Sequence, residues 1–368
     1  MKEVFKEKTN NLKRVLVVGM YDKIGGVETF LMNYYRNIDK NVIQMDFVSK
    51  FDKICFEDEI RKNGGKIYKI DSEKKHPIKH FKEMKRIIKD NHYDIVHINM
   101  RSVANPLPIL AANACKVKHI IVHSHNSNTP AGIIRKLMDK INRPFLNLAT
   151  DYWACSKLAG KWMFGRKRDF KVINNAVVLE KYSLNMDVRE KIRQELNVSD
   201  KLLIGHIGRF SYQKNHDFLI NVFFELQKNM TNVQLLLIGE GELSDPIKNK
   251  AKKLGISDKI IFLGTTNKIE EYLQAMDLFV LPSRFEGLPV VGIEAQASGT
   301  YCLFSNNITK ELDLTNNNIF LKLDVRLWKE KMMNTEIYTK RSISNSLLEK
   351  EYNIINEAKK MEELFLTM

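Results

Sequence analysis

The sequence has 368 residues, of which 44% are hydrophobic and 28% are charged. That length exceeds one ordinary hydrophobic core, and the composition is that of soluble globular proteins, so we expect two domains and exclude an intrinsically disordered chain. The 59 basic residues outnumber the 44 acidic ones, and the net charge of +15 favours polyanionic partners such as nucleic acids, anionic lipid headgroups or phosphorylated substrates.

The amino terminus and the cysteines indicate the compartment. Residues 1–14 are polar and lack the apolar segment of a signal peptide, and no apolar run in the sequence reaches the roughly 20 residues of a membrane-spanning helix. The four cysteines form no CxxC pair and no Cys/His cluster. We therefore expect each cysteine to be a small, buried hydrophobic residue, and we expect neither disulfides nor a zinc site. We predict a cytoplasmic location, with peripheral attachment to the cytoplasmic face of the membrane as an open alternative.

The first half of the chain alternates short apolar runs with helical patterns. Arg14–Met20 predicts a buried strand that ends in a glycine turn, and Val27–Asn37 predicts the helix that follows it. Further strands are predicted at Gln44–Val48, Asp94–Ile98 and His119–His123. Continuous β-branched runs separated by helices are typical of a parallel sheet that is covered on both faces.

The same alternation starts again at Lys201. Two such series predict two doubly wound domains, in which ligands bind beyond the carboxyl ends of the strands. The predicted strands are Lys201–Gly208, Val233–Ile238, Lys259–Leu263, Leu278–Leu281 and Tyr301–Phe304, and the predicted helices lie near His216–Lys228, Pro246–Leu254 and Pro289–Ala297.

The domain boundaries follow from this repetition. The polar, charged segment Lys181–Asp200 is the predicted linker. We therefore expect a first Rossmann-like domain at 1–185, a second at 186–345, and a C-terminal helix at 346–368 that could cross back to the first domain.

The strongest motif, residues 283–295, reads Ser-Arg-Phe-Glu-Gly-Leu-Pro-Val-Val-Gly-Ile-Glu-Ala. It follows a predicted strand, and Pro289 is suited to the first turn of a helix. Backbone N–H groups at such a helix start, around Leu288 to Val291, have no helical partner and lie at the positive end of the helix dipole. The motif therefore predicts a binding site for an anion.

Two glutamates flank this predicted anion site. Glu286 lies in the loop and Glu294 on the second turn of the helix, and both can accept hydrogen bonds from sugar hydroxyls. A chance pair of surface glutamates is the alternative, and the complete Glu-Gly-Leu-Pro context argues against it.

A second motif follows the first strand of the second series. Arg209 and Lys214 come directly after this strand, where a diphosphate would lie. Arginine offers a bidentate fork and lysine a point charge, and together they can stabilise a leaving diphosphate in place of a metal. Two solvated surface cations are the alternative, which the position at a strand end disfavours.

Two weaker signals lie in the first half. Gly25 and Gly26 separate the first strand from its helix, where paired glycines let the backbone approach a phosphate, although a plain tight turn explains them at least as well. His123 is the last residue of the predicted strand His119–His123, and His125 lies just after that strand. Either histidine could bond a sugar, or it could be a hydrogen-bonded histidine without a catalytic role. The dinucleotide fingerprint Gly-x-Gly-x-x-Gly is absent, which counts against a dehydrogenase.

From Arg14 to about Asp324, the sequence resembles the retaining GT-B glycosyltransferases of family 4, including those that build bacterial exopolysaccharide and capsule. The Glu-x7-Glu motif at Glu286 and Glu294 carries the resemblance most specifically. The fold that it implies is α/β of the GT-B type, with two Rossmann-like, doubly wound parallel-sheet domains facing a central cleft.

The resemblance also implies roles for single residues. Glu286 would contact the donor sugar, Glu294 the ribose hydroxyls and the Leu288–Val290 backbone the diphosphate. By position, His125 matches the cleft histidine of the family better than His123 does. The implied catalytic residues are Glu286, Arg209, Lys214 and His125, and the implied donor-binding residues are Gly25, Gly26, Leu288, Pro289, Val290 and Glu294.

The expected reaction is retaining transfer of a sugar from a nucleotide-sugar to a lipid-linked or glycan acceptor in bacterial surface polysaccharide synthesis. A UDP-sugar is the donor suggested by the family. The sequence shows no DxD motif and no histidines at metal-ligand spacing, so we expect no metal and no cofactor other than the donor.

The stretch Arg135–Lys171 combines ten basic and three acidic residues with Trp153, Trp162 and Phe164. Such a mixture suits an anionic membrane surface, where cations meet headgroups and aromatic rings lie at the interface. A solvated basic face with core aromatics is an equally good explanation.

Three other functions are alternatives to glycosyl transfer at the sequence level. A GT-B-like sugar-nucleotide epimerase or phosphorylase would share the fold and the donor. A nucleic-acid-binding protein would explain the charge, but no RNP, KH, zinc-finger or helix-turn-helix signature is present, so we expect no nucleic-acid partner. A nucleotide-sugar sensor without activity is disfavoured because Glu286, Arg209 and Lys214 occur together.

Overall fold

The computed structural model describes residues 12–128, 132–334 and 346–368 and divides into two compact units. The first unit runs up to Ala176 and includes Ile354–Met368, whereas the second unit is Val177–Asn353. The change of unit after Ala176 comes earlier in the chain than the domain end expected at residue 185.

The first unit contains a parallel sheet whose strands, within the described residues, lie in the order β3-β2-β1-β4-β5-β6-β7. In central strand β1, Val15, Leu16 and Val17 are all fully buried, because other elements cover both faces of the sheet. The strands are β1 (Lys13–Val18), β2 (Ile43–Ser49), β3 (Ile67–Lys69), β4 (Ile95–Met100), β5 (His119–Ser124), β6 (Asp151–Ala154) and β7 (Lys171–Val172).

The helices of the first unit alternate with these strands. They are α1 (Gly26–Asn37), α2 (Glu57–Lys62), α3 (Pro77–Asn91), α4 (Leu107–Ala114), α5 (Ile133–Asn142) and α6 (Lys157–Phe164). Strand β1 lies between β2 and β4, so the strand order reverses at this point. In doubly wound sheets, ligands bind beyond the carboxyl ends of the strands at such a reversal.

The second unit contains a second parallel sheet, with the described strands in the order β10-β9-β8-β11-β12-β13. Here too the order reverses, between β8 and β11. In chain order the elements are α7 (Met186–Glu195), β8 (Leu202–Ile207), α8 (His216–Gln227), β9 (Val233–Ile238), α9 (Ser244–Lys253), β10 (Ile260–Gly264), α10 (Ile269–Ala275), β11 (Leu278–Leu281), α11 (Val290–Ala297), β12 (Tyr301–Ser305), β13 (Asn318–Leu321), α12 (Val325–Met333) and α13 (Ser346–Glu351).

The last helix, α14 (Ile354–Thr367), belongs to the first unit. Phe365 stacks on Trp153 of β6 with ring centroids 5.5 Å apart, and the backbone N–H of Asp39 donates to Glu362 Oε2 at 3.1 Å. The first unit therefore includes a helix that follows the whole second unit in the chain. Among the helices of the described residues, none has the length and apolarity needed to cross a membrane.

The prediction of a linker at Lys181–Asp200 is wrong for most of that segment. Asn185 caps helix α7 by accepting hydrogen bonds from the amides of Asp187 and Val188. Arg189 and Arg193 then form ion pairs with Asp277, the latter at 3.0 Å. The polar composition that suggested a linker therefore belongs to a helix that is fastened to the second unit by charged side chains.

Candidate functional site

The two strongest sequence motifs lie at one edge of the second sheet. Strands β8 and β11 are parallel neighbours, so the loops that follow them leave the sheet side by side. Gln213 joins these loops, because its carbonyl accepts from the Arg284 amide at 2.8 Å and its side-chain Nε2 donates to the Phe285 carbonyl at 3.1 Å. Asn215 Nδ2 adds a bond to the Pro282 carbonyl at 3.1 Å. The two motifs therefore form one hydrogen-bonded structure.

Glu286 is the centre of this structure. Its side chain accepts from Lys214 Nζ at 2.8 Å, from Ser283 Oγ at 2.9 Å and from Gln213 Nε2 at 2.9 Å. The residue is only 7% exposed, so its carboxyl group is held by several donors in a mostly dry environment. A group fixed in this way is preorganised, because it needs no rearrangement to receive a ligand hydroxyl.

Of the two predicted cations, only Lys214 lies at Glu286. The side chain of Arg209 is 61% exposed and pairs with Glu242, its NH2 group 2.9 Å from Glu242 Oε2. The two predicted cations therefore pair with different glutamates in this structure. Since exposed ion pairs contribute little stability, a bound anion could draw Arg209 away from Glu242 at low cost.

A close approach of two backbones brings Glu242 near Arg209. Gly239, at the end of β9, has a φ of +132°, and a Cβ there would lie 2.2 Å from the Gly208 carbonyl oxygen. Only glycine tolerates that contact and that backbone conformation. The Gly239–Gly241 turn therefore packs directly against the Arg209 loop.

Glu294 lies apart from Glu286 on helix α11, where it is 8% exposed. Tyr182 Oη donates to Glu294 Oε1 at 2.8 Å. Burial raises the pKa of Glu294 to about 7, while the Tyr182 bond lowers it and the negative charge of Glu270 raises it further. The protonation of Glu294 therefore changes close to neutral pH.

Helix α11 begins one residue later than predicted. Pro289 has ψ of 116° and precedes the helix, whose first residue is Val290. Proline has no N–H, so of the three predicted diphosphate-binding positions only Leu288 and Val290 can donate through the backbone. Both are buried, and Pro289 contributes its restricted φ of −71° to the turn that leads into the helix.

In the first unit, Gly25 and Gly26 form the start of α1. Gly25 caps the helix in extended conformation, and a Cβ on it would lie 2.9 Å from Glu28 Oε2. Its missing side chain therefore makes room for the chain's own Glu28, whose carboxyl is buried and whose pKa is raised by that burial. A Cβ on Gly26 would meet no atom within 4 Å, so the space beside this second glycine is open.

His125 follows β5 and bonds Asn99 at the adjacent end of β4, with Nε2 2.8 Å from Oδ1. Because the amide oxygen only accepts, we assign the proton to Nε2 and leave Nδ1 as an acceptor. Burial lowers the pKa of His125 to about 3, so the ring is neutral at physiological pH. His123 is fully buried and bonds His97, with Nδ1 3.1 Å from Nε2.

Sequence reasoning missed three residues that hold the glutamates. Gln213 and Ser283 stand inside the two motifs, next to residues that were singled out, so their position was a usable signal. Tyr182 lies 112 residues before Glu294 in a 3-10 turn, Leu179–Tyr182, and no local pattern indicates the contact. Among the described residues, no group of three or more His, Cys, Asp or Glu side chains could hold a metal ion.

Two protein families match the chain, one for each half. The family described as Glycosyltransferase Family 4 matches residues 24–181, and the family described as Glycosyl transferases group 1 matches residues 187–320. The second range contains all four of the residues Arg209, Lys214, Glu286 and Glu294.

Two relatives and one solved structure give more detail. The chain is 33% identical over 314 residues to a protein of Bacillus subtilis named as the glycosyltransferase EpsF, covering 82% of this chain and 81% of EpsF. It is 26% identical to the UDP-Gal:alpha-D-GlcNAc-diphosphoundecaprenol alpha-1,3-galactosyltransferase of Escherichia coli, covering 77% and 78% of the two chains. The fold matches the crystal structure of Anabaena HepE in complex with UDP and glucose, with TM-score 0.80, 17% identity and coverage of 96% and 99%.

Proposed function

Because this chain belongs to the family 4 glycosyltransferases of bacterial polysaccharide synthesis, we propose that it transfers a sugar from a UDP-sugar to a lipid-linked acceptor with retention of anomeric configuration. The E. coli relative is named for a UDP-sugar donor and a diphosphoundecaprenol acceptor, and the Anabaena structure is titled as a complex with UDP and glucose. These names support the donor and acceptor classes.

The observation that supports the proposal best is the Lys214–Glu286 ion pair, 2.8 Å apart at the carboxyl ends of β8 and β11, in which the lysine side chain is 16% exposed and the glutamate side chain 9%. The sheet order reverses between these strands, which is where ligands bind in doubly wound sheets. A fixed carboxylate suits the hydroxyls of a donor sugar, and an adjacent ammonium suits the phosphate attached to it. Both chemical groups of a nucleotide-sugar thus find a partner at one place.

The start of helix α11 adds to the anion site. Its first N–H groups have no helical partners, and the helix dipole favours negative charge there. In the proposed reaction, negative charge develops on the leaving diphosphate, and Lys214 together with these amides stabilises it. Arg209 joins them by exchanging its exposed pairing with Glu242 for the diphosphate.

Glu294 is the proposed ligand of the ribose hydroxyls. Tyr182 occupies Oε1, and within the described residues Oε2 has no hydrogen-bond partner. A carboxylate with one oxygen fixed and the other available suits a pair of neighbouring hydroxyls. Its position one helix turn beyond the anion site agrees with a ribose that follows a diphosphate.

Retention requires the acceptor hydroxyl to attack on the face of the sugar that the diphosphate leaves. We assign no nucleophile of the protein. We place His125 near the acceptor substrate, because Nδ1 of its neutral ring can accept a hydrogen bond. The direct test is product analysis: the UDP-sugar giving the largest thermal stabilisation is incubated with a polyprenyl-diphosphate-sugar, and the new linkage is examined by NMR. A glycosylated lipid with the donor's anomeric configuration is expected, whereas an epimerised sugar would identify an epimerase, and a sugar 1-phosphate formed from a glycan and inorganic phosphate would identify a phosphorylase.

Sugar transfer should continue in excess EDTA. Lys214, Arg209 and the helix-start amides supply the positive charge that a divalent metal supplies in other transferases. The measurement compares initial rates before and after chelation, with manganese or magnesium added back. Complete loss of activity with EDTA, restored by either metal, would overturn the metal-independent proposal.

Replacing Tyr182 with phenylalanine should shift the pH dependence of donor binding to higher pH. The pKa of Glu294 is about 7 with the Tyr182 hydrogen bond in place. Because this bond lowers the pKa, its loss should raise the pKa of Glu294 further. Since the ribose needs the ionised carboxyl, UDP-sugar affinity at neutral pH should fall roughly tenfold, the low end of losing a bond to a charged group. Titrating affinity against pH measures this shift.

The matched comparison is Glu294→Gln, which keeps the shape of the side chain and cannot titrate. Its UDP-sugar affinity should be lower than that of the parent at high pH and should show no dependence on pH near neutrality. If the Tyr182→Phe curve coincides with the parent curve, Tyr182 only fills space and does not position Glu294.

A further inference from the structure

Helix α5 (Ile133–Asn142) is turned with its apolar side toward solvent. Its two buried residues are polar, Asp139 at 6% and Asn142 at 9% exposure. The five exposed apolar residues, which we call the α5 apolar face, are Ile133, Ile134, Leu137, Met138 and Ile141, with exposures of 87%, 76%, 56%, 44% and 62%. A helix on the surface of a globular protein ordinarily shows the opposite arrangement.

Helical geometry places the five side chains on one continuous face. At about 100° per residue, they fall within an arc of roughly 140°, and Asp139 and Asn142 fall outside it. The polar side is attached to the protein, since Asn142 Nδ2 donates to the Ala104 carbonyl at 3.1 Å. The outward orientation of the α5 apolar face is therefore set by specific contacts on its opposite side.

Basic side chains border this face. Arg135, Lys136 and Lys140 are exposed, and their helical positions lie on both edges of the apolar arc. Arg143, directly after α5, donates to the carbonyls of Trp162 at 2.8 Å and Met163 at 3.2 Å. It thus holds the end of α5 against the end of α6, which leads into the exposed residues Arg166 and Lys167.

The structure corrects the sequence-based idea about this region. Trp153 and Phe164 are 0% and 2% exposed, so these rings belong to the core and cannot lie at a membrane interface. The basic residues of the stretch Arg135–Lys171 stay near the surface, but the apolar partner for a bilayer is the aliphatic face of α5.

We propose that α5 inserts the α5 apolar face into the headgroup region of an anionic lipid bilayer, with Arg135, Lys136 and Lys140 contacting lipid phosphates. Aliphatic side chains on one face with lysine and arginine beside them are the composition of helices that lie in a membrane interface. This inference deepens the proposed function, on which it rests for the reason to be at a membrane, because a lipid-linked acceptor is presented there.

Two observations favour a bilayer over a second protein copy. A ten-residue helix is about 15 Å long, too short to bury by itself the roughly 1,600 Å² of a standard interface. Two copies joined through this face would also bring their basic borders together in a chain that already carries a net charge of +15. An anionic bilayer neutralises the same charges.

The test is sedimentation of the full chain with vesicles of phosphatidylglycerol and phosphatidylcholine, compared with vesicles of phosphatidylcholine alone. The parent should sediment with the anionic vesicles, more weakly at high salt. The double variant Ile134→Asp, Leu137→Asp should bind them at least about tenfold more weakly, because two anchoring side chains become anionic. Both positions are exposed, so the thermal stability should not change.

Ile78→Asp on α3 is the matched control, since Ile78 is an equally exposed isoleucine of the same unit at 71%. It should bind vesicles like the parent. Equal vesicle binding by the parent and the double variant would overturn the proposal. So would a parent that is dimeric without lipid while the double variant is monomeric, because the face would then be an interface between copies.

Transfer to a short, water-soluble acceptor separates this inference from the proposed function. The double variant should retain the parent rate on such an acceptor and lose rate only on an acceptor embedded in vesicles. A parent that binds anionic vesicles but transfers sugar to neither acceptor would refute the proposed function and leave the membrane contact standing.

Discussion

Replacing Glu286 with glutamine should slow sugar transfer by about 10- to 150-fold and leave the affinity for free UDP almost unchanged. The glutamine keeps the size of the side chain but loses the charge that Lys214, Ser283 and Gln213 surround. This range of rates corresponds to roughly 1.5–3 kcal/mol for a hydrogen bond to a charged group. Steady-state rates and calorimetric UDP binding give the two quantities.

Two comparison variants sharpen the result. Glu294→Ala should weaken the binding of UDP and of the UDP-sugar alike, because the ribose is present in both. Glu242→Gln removes the other glutamate paired with a site cation, and it should change transfer little because that pair is exposed. Equal losses of free UDP affinity in the Glu286 and Glu294 variants would show that the roles are misassigned.

Acidification from neutral pH to pH 5 should destabilise the first unit, by about 2 kcal/mol for each buried histidine whose folded pKa is about 3. The rings of His97, His123 and His125 pack against one another in its core, and burial lowers all three pKa values, to about 3 for His97 and His125. The unfolded chain takes up protons below about pH 6.5, while the folded unit does not. Their stabilisation is therefore complete above that pH and is lost as the pH falls toward the folded pKa values.

The second unit should be less sensitive to acid. Burial lowers the pKa of His206 to about 4 and that of His216 to about 2, which acts in the same direction. Glu294 acts in the opposite direction: its pKa is raised to about 7, so the folded unit holds a proton that the unfolded chain releases above about pH 4.5. Its stabilisation is present at low pH and is lost as the pH rises through 7.

Urea unfolding at a series of pH values from about 7 to 5 measures the proton uptake of each unit. We expect a larger uptake for the first unit, in which burial lowers the pKa of three histidines, than for the second unit, in which it lowers the pKa of two. His97→Leu should reduce the proton uptake of the first unit by about one. An uptake below one proton in the first unit would contradict the prediction.

The sequence predicted those elements whose apolar pattern is continuous. Strands β9 and β11 lie at the predicted residues, since every residue in them is buried and the runs are bounded by turns. Strands β3 and β7 were not predicted, because with three and two residues they are too short to show a period. Helix α7 was taken for a linker because its charged residues, which make specific ion pairs, have the composition of a solvated segment.

The site could be predicted only where it is local in the chain. The motif at 283–295 brings Glu286 near Ser283 by loop geometry, whereas the pairing of Glu286 with Lys214 depends on the packing of β8 beside β11 and was not predicted. The Tyr182–Glu294 bond and the Arg209–Glu242 pair depend on how distant segments fold together. The spacing of these residues in the sequence does not indicate either contact. The outward face of α5 was missed for a related reason: periodicity shows that a helix has two faces but not which of them meets solvent.

The return of α14 to the first unit has a consequence for biosynthesis. A ribosome makes proteins from the amino terminus, and domains generally fold as they emerge, the first one earliest. Here the first unit lacks the helix that covers Trp153 until every residue of the second unit has been made. During translation, the nascent first unit therefore exposes an apolar surface for the time needed to synthesise Val177–Asn353, an interval in which chaperones have access to that surface.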